Sequence, residues 1–277
     1  MRFLQPFYDL FSSTVTPSER VISLLVASAL VLVGTITLRA LYITIRLLWF
    51  QILGRRHAHQ AAVFEVARPN GKRILIVGDS TAFGTGAARP EDSIAGRLAQ
   101  DFPDTEIINH AVNGAITREV LPQLQRAAGQ HFDLVLVFTG GNDIWRFTNL
   151  KEMGLKLREL LDEATVLSGH RVIVLFYANF GLSPIFPSFL RNLLERRTER
   201  VRQTFVHVCT ELGTPCIELY TASTKDTWAW ASSNPFAADP KIYFSGDYVH
   251  PSSEGYRLWY NRMWREMLAR GYSFEET

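Results

Sequence analysis

Cysteine is almost missing from this chain: 277 residues carry two, Cys209 and Cys216. A disulfide-built scaffold is excluded, and two thiols seven positions apart read as small core residues, though a single bridge between them stays open. Metal-ligand spacing is missing too, because His57, His59, His110, His131, His170 and His207 form no motif with one another or with the cysteines. Gly78, Gly84 and Gly86 fit neither G-x-G-x-x-G nor the Walker A spacing, so neither a nucleotide site nor any other cofactor is expected. There is no internal repeat and no low-complexity tract. Charge of neither sign dominates, with 29 Lys and Arg against 27 Asp and Glu, a net +2. That balance hides two unlike parts. Residues 1–70 hold Arg2, Arg20, Arg39, Arg46, Arg55, Arg56 and Arg68 against Asp9, Glu19 and Glu65, a balance of +4, so the remaining +2 − 4 = −2 belongs to the rest. The basicity is N-terminal, and nucleic-acid binding is not expected. With 47% hydrophobic and 20% charged residues the chain is globular in composition, and its length allows one or two domains.

Charge is wholly absent from Val21 to Leu38, VISLLVASALVLVGTITL. As a helix, eighteen such residues span ~27 Å, close to the hydrocarbon thickness of a bilayer. A cleavable signal has a shorter apolar core and a prompt small-residue cleavage site, whereas TLRALYITIR follows here. We therefore expect residues 1–20 to be a tail, 21–54 a single transmembrane helix with an interfacial continuation, 55–71 a linker and 72–277 the body. Arg39, Arg46, Arg55 and Arg56 follow the span and Arg2 and Arg20 precede it, which places the body on the cytoplasmic side of a bacterial-type inner membrane.

From Lys72 the pattern changes. RILIV (73–77), EIINH (106–110), DLVLVF (133–138), RVIVLF (171–176) and PCIEL (215–219) are strand-like. Between them Glu91–Phe102, Thr117–Gly129, Leu150–Leu167 and Ser188–Leu212 have helical spacing, and Ser252–Arg270 closes the chain. Alternation of this kind predicts an α/β fold, a five-stranded parallel sheet covered on both faces.

In an open parallel sheet, ligands gather outside the carboxyl ends of the strands. The residues there are polar: Gly78-Asp79-Ser80 after the first strand, Asn113-Gly114 after the second, Gly140-Gly141-Asn142-Asp143 after the third, and Asp247-Tyr248-Val249-His250 before the last helix. A serine hydroxyl is protonated at neutral pH and needs a base to attack an acyl carbon; His250 can supply it, and Asp247 can fix the tautomer of His250. The oxyanion that forms needs donors fixed in advance, and the Ser80 N–H, the Gly114 N–H and the Asn142 amide can serve. Asp79 and Asp143 read as structural residues of their loops.

These four ordered blocks resemble those of the SGNH, or GDSL-type, hydrolase family, over about Lys72 to Ala269. The resemblance implies a flavodoxin-like three-layer α/β/α fold and cofactor-free esterase, lipase, thioesterase or related acyl-transfer chemistry. By the same resemblance Ser80 is the nucleophile, His250 the base, Asp247 its orienter, and Ser80, Gly114 and Asn142 line the oxyanion hole. The chain departs from the family at Thr81, where the family has leucine, a change expected to touch only the pocket wall.

Two apolar loops, Tyr177–Leu190 and Thr227–Phe244, the second with Trp228, Trp230, Phe236, Tyr243 and Phe244, are expected either to wall an acyl groove or to pack against helices. Arg191, Arg196, Arg197, Arg200 and Arg202, interleaved with Glu195 and Glu199, read as a solvated helix face, with anionic lipid headgroups as the alternative they could face. The expectation is a membrane-anchored serine ester hydrolase acting on a lipid-like or acylated substrate, lysophospholipids and thioesters included. Two alternatives stay open: an O-acyltransferase or deacetylase of a glycan or lipid using the same triad, and a non-catalytic membrane-tethered binding protein with the same fold.

Overall fold

The computed structural model describes residues 4–9, 16–69, 71–176, 179–219 and 234–272. The chain divides into two compact units, Met1–Trp49 and Phe50–Thr277. The first contains a short helix α1 (Gln5–Asp9) and most of a long helix α2 (Pro17–Gln60), 44 residues in all. Thr16 opens α2: its N–H and hydroxyl both donate to Glu19 Oε2, at 2.9 and 2.6 Å. Proline at the first helical position loses nothing, because that N–H has no partner inside the helix. An eighteen-residue window of α2 has a mean hydropathy of 2.5, so this helix is long and apolar enough to cross a membrane. The hydroxyls of Thr35, Thr37 and Thr44 donate to carbonyls one turn back, at 2.8, 2.8 and 2.9 Å, leaving few polar groups for an apolar solvent to penalise.

The helical pattern predicts a helix to Gly54, but α2 continues to Gln60. One glycine costs a helix only about 1 kcal/mol relative to alanine, too little to end it. The Asn113 amide meets the last turn instead, donating to Ala58 O at 3.3 Å. Residues 61–69 are not a free tether either. Val66 pairs antiparallel with Ile107, and Glu65 Oε1 accepts from Asn109 N at 3.0 Å. The compact body therefore begins at Phe50, earlier than Lys72.

Five strands form the sheet: β1 (Arg73–Gly78), β2 (Glu106–Asn109), β3 (Leu134–Phe138), β4 (Val172–Phe176) and β5 (Cys216–Glu218). Their order is β2-β1-β3-β4-β5 and every pairing is parallel. Each lies within the apolar run that predicts it or one residue beyond. β3 and β4 are buried at every position, as a strand covered on both faces requires.

Among the described residues the body's helices are α3 (Ser80–Phe83), α4 (Ile94–Asp101), α5 (Leu121–Gln125), α6 (Gly141–Trp145), α7 (Leu150–Ser168), α8 (Ser188–Leu212), α9 (Pro235–Ala238), α10 (Pro240–Tyr243) and α11 (Ser253–Ala269). Strand order reverses after β2. Right-handed crossovers then put α4, with α11 packed on it, on one face and α5, α7 and α8 on the other, giving three layers. Two expected helices are divided. A 3-10 turn at Pro90–Asp92 precedes α4 because Ser93 caps the new helix, its Oγ accepting from Gly96 N at 3.1 Å. Another at Thr117–Glu119 precedes α5, where Pro122 lies in the first turn. Both cysteines are free thiols; hydrogen bonding to Cys209 and burial push the Cys216 thiol pKa up, so it stays protonated.

Candidate active site

The site begins where β1 ends. Gly78 lies so close to β3 that a Cβ would stand 1.9 Å from Phe138 O, and its φ is +146°, so glycine is required. Both of its backbone polar groups meet one buried side chain: Gln123 Oε1 accepts from Gly78 N at 2.7 Å and Nε2 donates to Gly78 O at 2.8 Å. Asp79, buried, caps α3, its Oδ1 accepting from Thr81 N and Thr81 Oγ1 at 2.9 Å each. Thr81 thus braces Asp79 and is itself buried, a local role and not a change in the pocket wall. Ser80 opens α3 half-buried, at a position whose N–H has no partner within the helix.

The Ser245–His250 loop meets it from the other end of the chain. His250 Nε2 lies 2.8 Å from Ser80 Oγ, and His250 Nδ1 lies 2.6 Å from Asp247 Oδ2. Asp247 is fully buried, and its Oδ1 accepts three further bonds, from Ser245 Oγ at 2.7 Å, Val249 N at 2.9 Å and His250 N at 3.0 Å. Burial pushes this acid's pKa up, but the His250 ring, by hydrogen bond and charge, and the two N–H groups outweigh it and hold the carboxyl well below the usual carboxylate range. The two loops touch at Gly86, where φ is +97° and a Cβ would stand 2.4 Å from Pro251 O and 2.8 Å from His250 Cβ.

The other two blocks are tied to these. Thr85 Oγ1 donates to Asn113 Oδ1 at 2.7 Å, fixing the chain beside Gly114, which is half-buried with φ +79°. Asn142, half-buried in the first turn of α6, donates from Nδ2 to Ala115 O at 3.0 Å; one N–H is thereby used to orient the amide and its second remains for a ligand. Arg146 reaches Gly114 O at 3.0 Å. Asp143 is buried and takes Thr117 N and Oγ1 at 2.9 and 2.8 Å, the loop brace expected of it. Among the described residues no three His, Cys, Asp or Glu come together as a metal-holding group.

The apolar loops split in role. Phe236, Tyr243 and Phe244 pack with Trp259 of α11, with Phe236 at 5.7, 4.9 and 5.5 Å from Tyr243, Phe244 and Trp259 respectively, so they belong to helix packing. Tyr177, Trp228 and Trp230 lie outside the described residues. Phe180 and Phe186 instead meet Trp145, at 6.4 and 5.3 Å, three residues beyond Asn142, and Trp145 is 40% exposed. Ser183 Oγ donates to Tyr248 O at 2.7 Å, joining this cluster to the His250 loop. Of the α8 arginines, Arg202 pairs with Glu199 and Glu218 at 2.8 Å each and Arg197 donates to Thr148 O, so two are structural ties.

Sequence reading missed Gln123, Ser245 and His57. His57 Nδ1 lies 3.3 Å from Ser245 Oγ and 3.5 Å from Asp247 Oδ2. The spacing of Phe50, Gly54 and His57 on one helical face is the signal that could have found it, once α2 is continued past Gly54.

Residues 76–258 match the GDSL-like Lipase/Acylhydrolase family. A GDSL-like esterase of Mycobacterium tuberculosis is 28% identical over 199 residues, covering 69% of this chain and 60% of that protein, so the chain spans less than two thirds of that relative's length. Among solved structures, a member of the lipolytic G-D-S-L family from Veillonella parvula has a TM-score of 0.55 at 17% identity, over 70% of this chain and 97% of the other. A psychrotrophic esterase from Pseudoalteromonas sp. has a TM-score of 0.53 at 18% identity, over 72% of this chain and 98% of the other. At such identities the structural likeness is one of fold.

Proposed function

The chain belongs to the GDSL-like lipase/acylhydrolase family, and on that premise we propose that it is a serine ester hydrolase whose nucleophile is Ser80. The observation that carries the proposal is the relay Ser80 Oγ to His250 Nε2 at 2.8 Å and His250 Nδ1 to Asp247 Oδ2 at 2.6 Å. Ser80 Oγ attacks the ester carbonyl carbon while His250 Nε2 takes its proton. The carbonyl oxygen becomes an oxyanion facing the Ser80 N–H, the Gly114 N–H and the free N–H of Asn142, donors worth a few kcal/mol each when fixed in advance. His250 returns the proton to the departing alcohol, leaving an acyl-serine. Water, deprotonated by the same imidazole, then attacks that acyl carbon and frees the acid. Asp247 stays ionised throughout, holds the ring in the Nδ1–H tautomer and stabilises the imidazolium.

The substrate is an ester with a lipid-like or other long acyl chain, which the exposed Trp145 with Phe180 and Phe186 would flank. α2 anchors the enzyme as a single transmembrane helix, with the body on the cytoplasmic side by the arginine count. Labelling of the full chain in detergent with a fluorophosphonate probe tests the chemistry. Wild type should label, Ser80→Ala should not, and His250→Ala should label far more slowly. A well-folded wild type that never labels would sink the proposal. An ester panel graded by acyl length tests the substrate: turnover confined to short water-soluble esters would remove the lipid-like assignment and leave the triad standing.

A further inference from the structure

Helix α2 ends against the acid of this relay. Phe50, Gly54 and His57 are four and three residues apart and so share one helical face. The Phe50 ring meets Tyr248 edge-on at 6.0 Å. At Gly54 a Cβ would stand 3.7 Å from Asp247 Oδ2, ordinary van der Waals distance, so the helix backbone passes directly beside the carboxylate. His57 follows, its Nδ1 3.5 Å from Asp247 Oδ2 and 3.3 Å from Ser245 Oγ, with its side chain 26% exposed while that of Asp247 is 0%.

The donor pattern can be assigned. Ser245 has one hydroxyl proton, and a carboxylate is the stronger acceptor, so that proton goes to Asp247 Oδ1 at 2.7 Å. The Ser245 oxygen is then left to accept, and His57 carries a proton on Nδ1. The resulting chain is His57 Nδ1–H to Ser245 Oγ–H to Asp247 Oδ1, while His250 Nδ1–H takes Oδ2. Each carboxylate oxygen is thus pinned from a different side.

We propose that His57 is a positioning residue of the catalytic relay, a second imidazole that fixes the rotation of the Asp247 carboxylate through Ser245. His57 lies outside the family-matched residues 76–258 and comes from the end of the apolar helix. The working site therefore includes residues that precede the family domain. The proposal rests on the Ser80 reading above, since it assigns His57 a role only if Asp247 serves His250.

Steady-state hydrolysis of a p-nitrophenyl ester by the full chain in detergent micelles tests it, with thermal unfolding as the check on folding. A loosened carboxylate misaligns the base in the transition state, so His57→Ala should lower kcat about tenfold with KM within about twofold of wild type. His57→Phe keeps the bulk and loses the donor, and should be as slow. His57→Asn places an amide N–H near the position of Nδ1 and should recover to within about threefold of wild type. Adding Ser245→Ala to His57→Ala should cost little beyond the worse single change, because both break one chain. Folded His57→Phe with wild-type kcat, or folded His57→Asn as slow as His57→Phe, overturns the proposal. Wild-type turnover that Ser80→Ala leaves intact overturns the triad itself, and His57 with it; turnover abolished by Ser80→Ala but unmoved in His57→Phe overturns His57 alone.

Discussion

Asp247 concentrates the residue-scale chemistry. Its four acceptor bonds and full burial make a carboxylate the one group that fits. Asparagine would keep an oxygen for the three Oδ1 donors but turn an N–H toward His250 Nδ1. The ring would then carry its proton on Nε2, where it cannot accept from Ser80. Asp247→Asn should therefore lower kcat by roughly 10³–10⁴-fold, measured on the same ester used for wild type. Stability should also change with pH in a defined sense. The folded pKa is depressed, so the carboxylate stabilises the fold fully above its ordinary pKa of about 4 and loses that contribution as the pH falls towards the lower folded value. The gap in melting temperature between wild type and Asp247→Asn should be widest near neutrality and narrow below about pH 4. That Ser80, Asp247 and His250, which hydrogen-bond in series, are candidates for one site was legible from residue type and order, as was the candidacy of Gly114 and Asn142. His57 and Ser245 were not, because nothing local says that a histidine far ahead of the first strand will meet an aspartate near the last helix.

At the scale of elements, the site depends on how β1 stops. Gln123, on α5, closes both hydrogen-bonding groups of Gly78 and so lets the strand end beside β3 without an orphaned backbone group. Gln123→Leu fills the space but leaves the buried Gly78 N–H unpaired, costing about 1–3 kcal/mol, while Gly78 O keeps the Val112 N–H at 3.0 Å. The variant should melt several degrees below wild type and lose activity through Ser80, which follows Gly78 by two residues; an unchanged melting temperature would show that Gly78 finds other partners. The strands and the long helices α7 and α8 follow the sequence pattern nearly residue for residue, since period and apolar runs are local properties. The divided helices at Ser93 and Val120 were missed because a cap serine and an early proline read equally well as the start of a helix or as its first turn.

For the whole molecule, the separation of charge has a structural counterpart. The charge-free run lies inside a 44-residue helix, and the sheet and candidate site lie in the unit from Phe50 onward. If α2 spans the bilayer, the full chain should stay in the membrane pellet through alkaline carbonate and be released by detergent. Protease added outside intact cells should leave the body uncut, as the arginine count after the span predicts. Release by carbonate alone would mean that α2 lies on the surface instead.

The sequence by itself determined which residues are candidates for acyl chemistry, the parallel α/β plan and the apolar segment. Each of these is written in residue type, period or order along the chain. Only the tertiary structure decided what stands behind the acid. That contact joins His57 to Ser245 and Asp247 across most of the chain, and it depends on a helix failing to stop at Gly54 and on a carboxylate buried deeply enough to need every donor within reach. Distance along a chain carries no information about such a meeting until the sheet has brought its strand ends to one side.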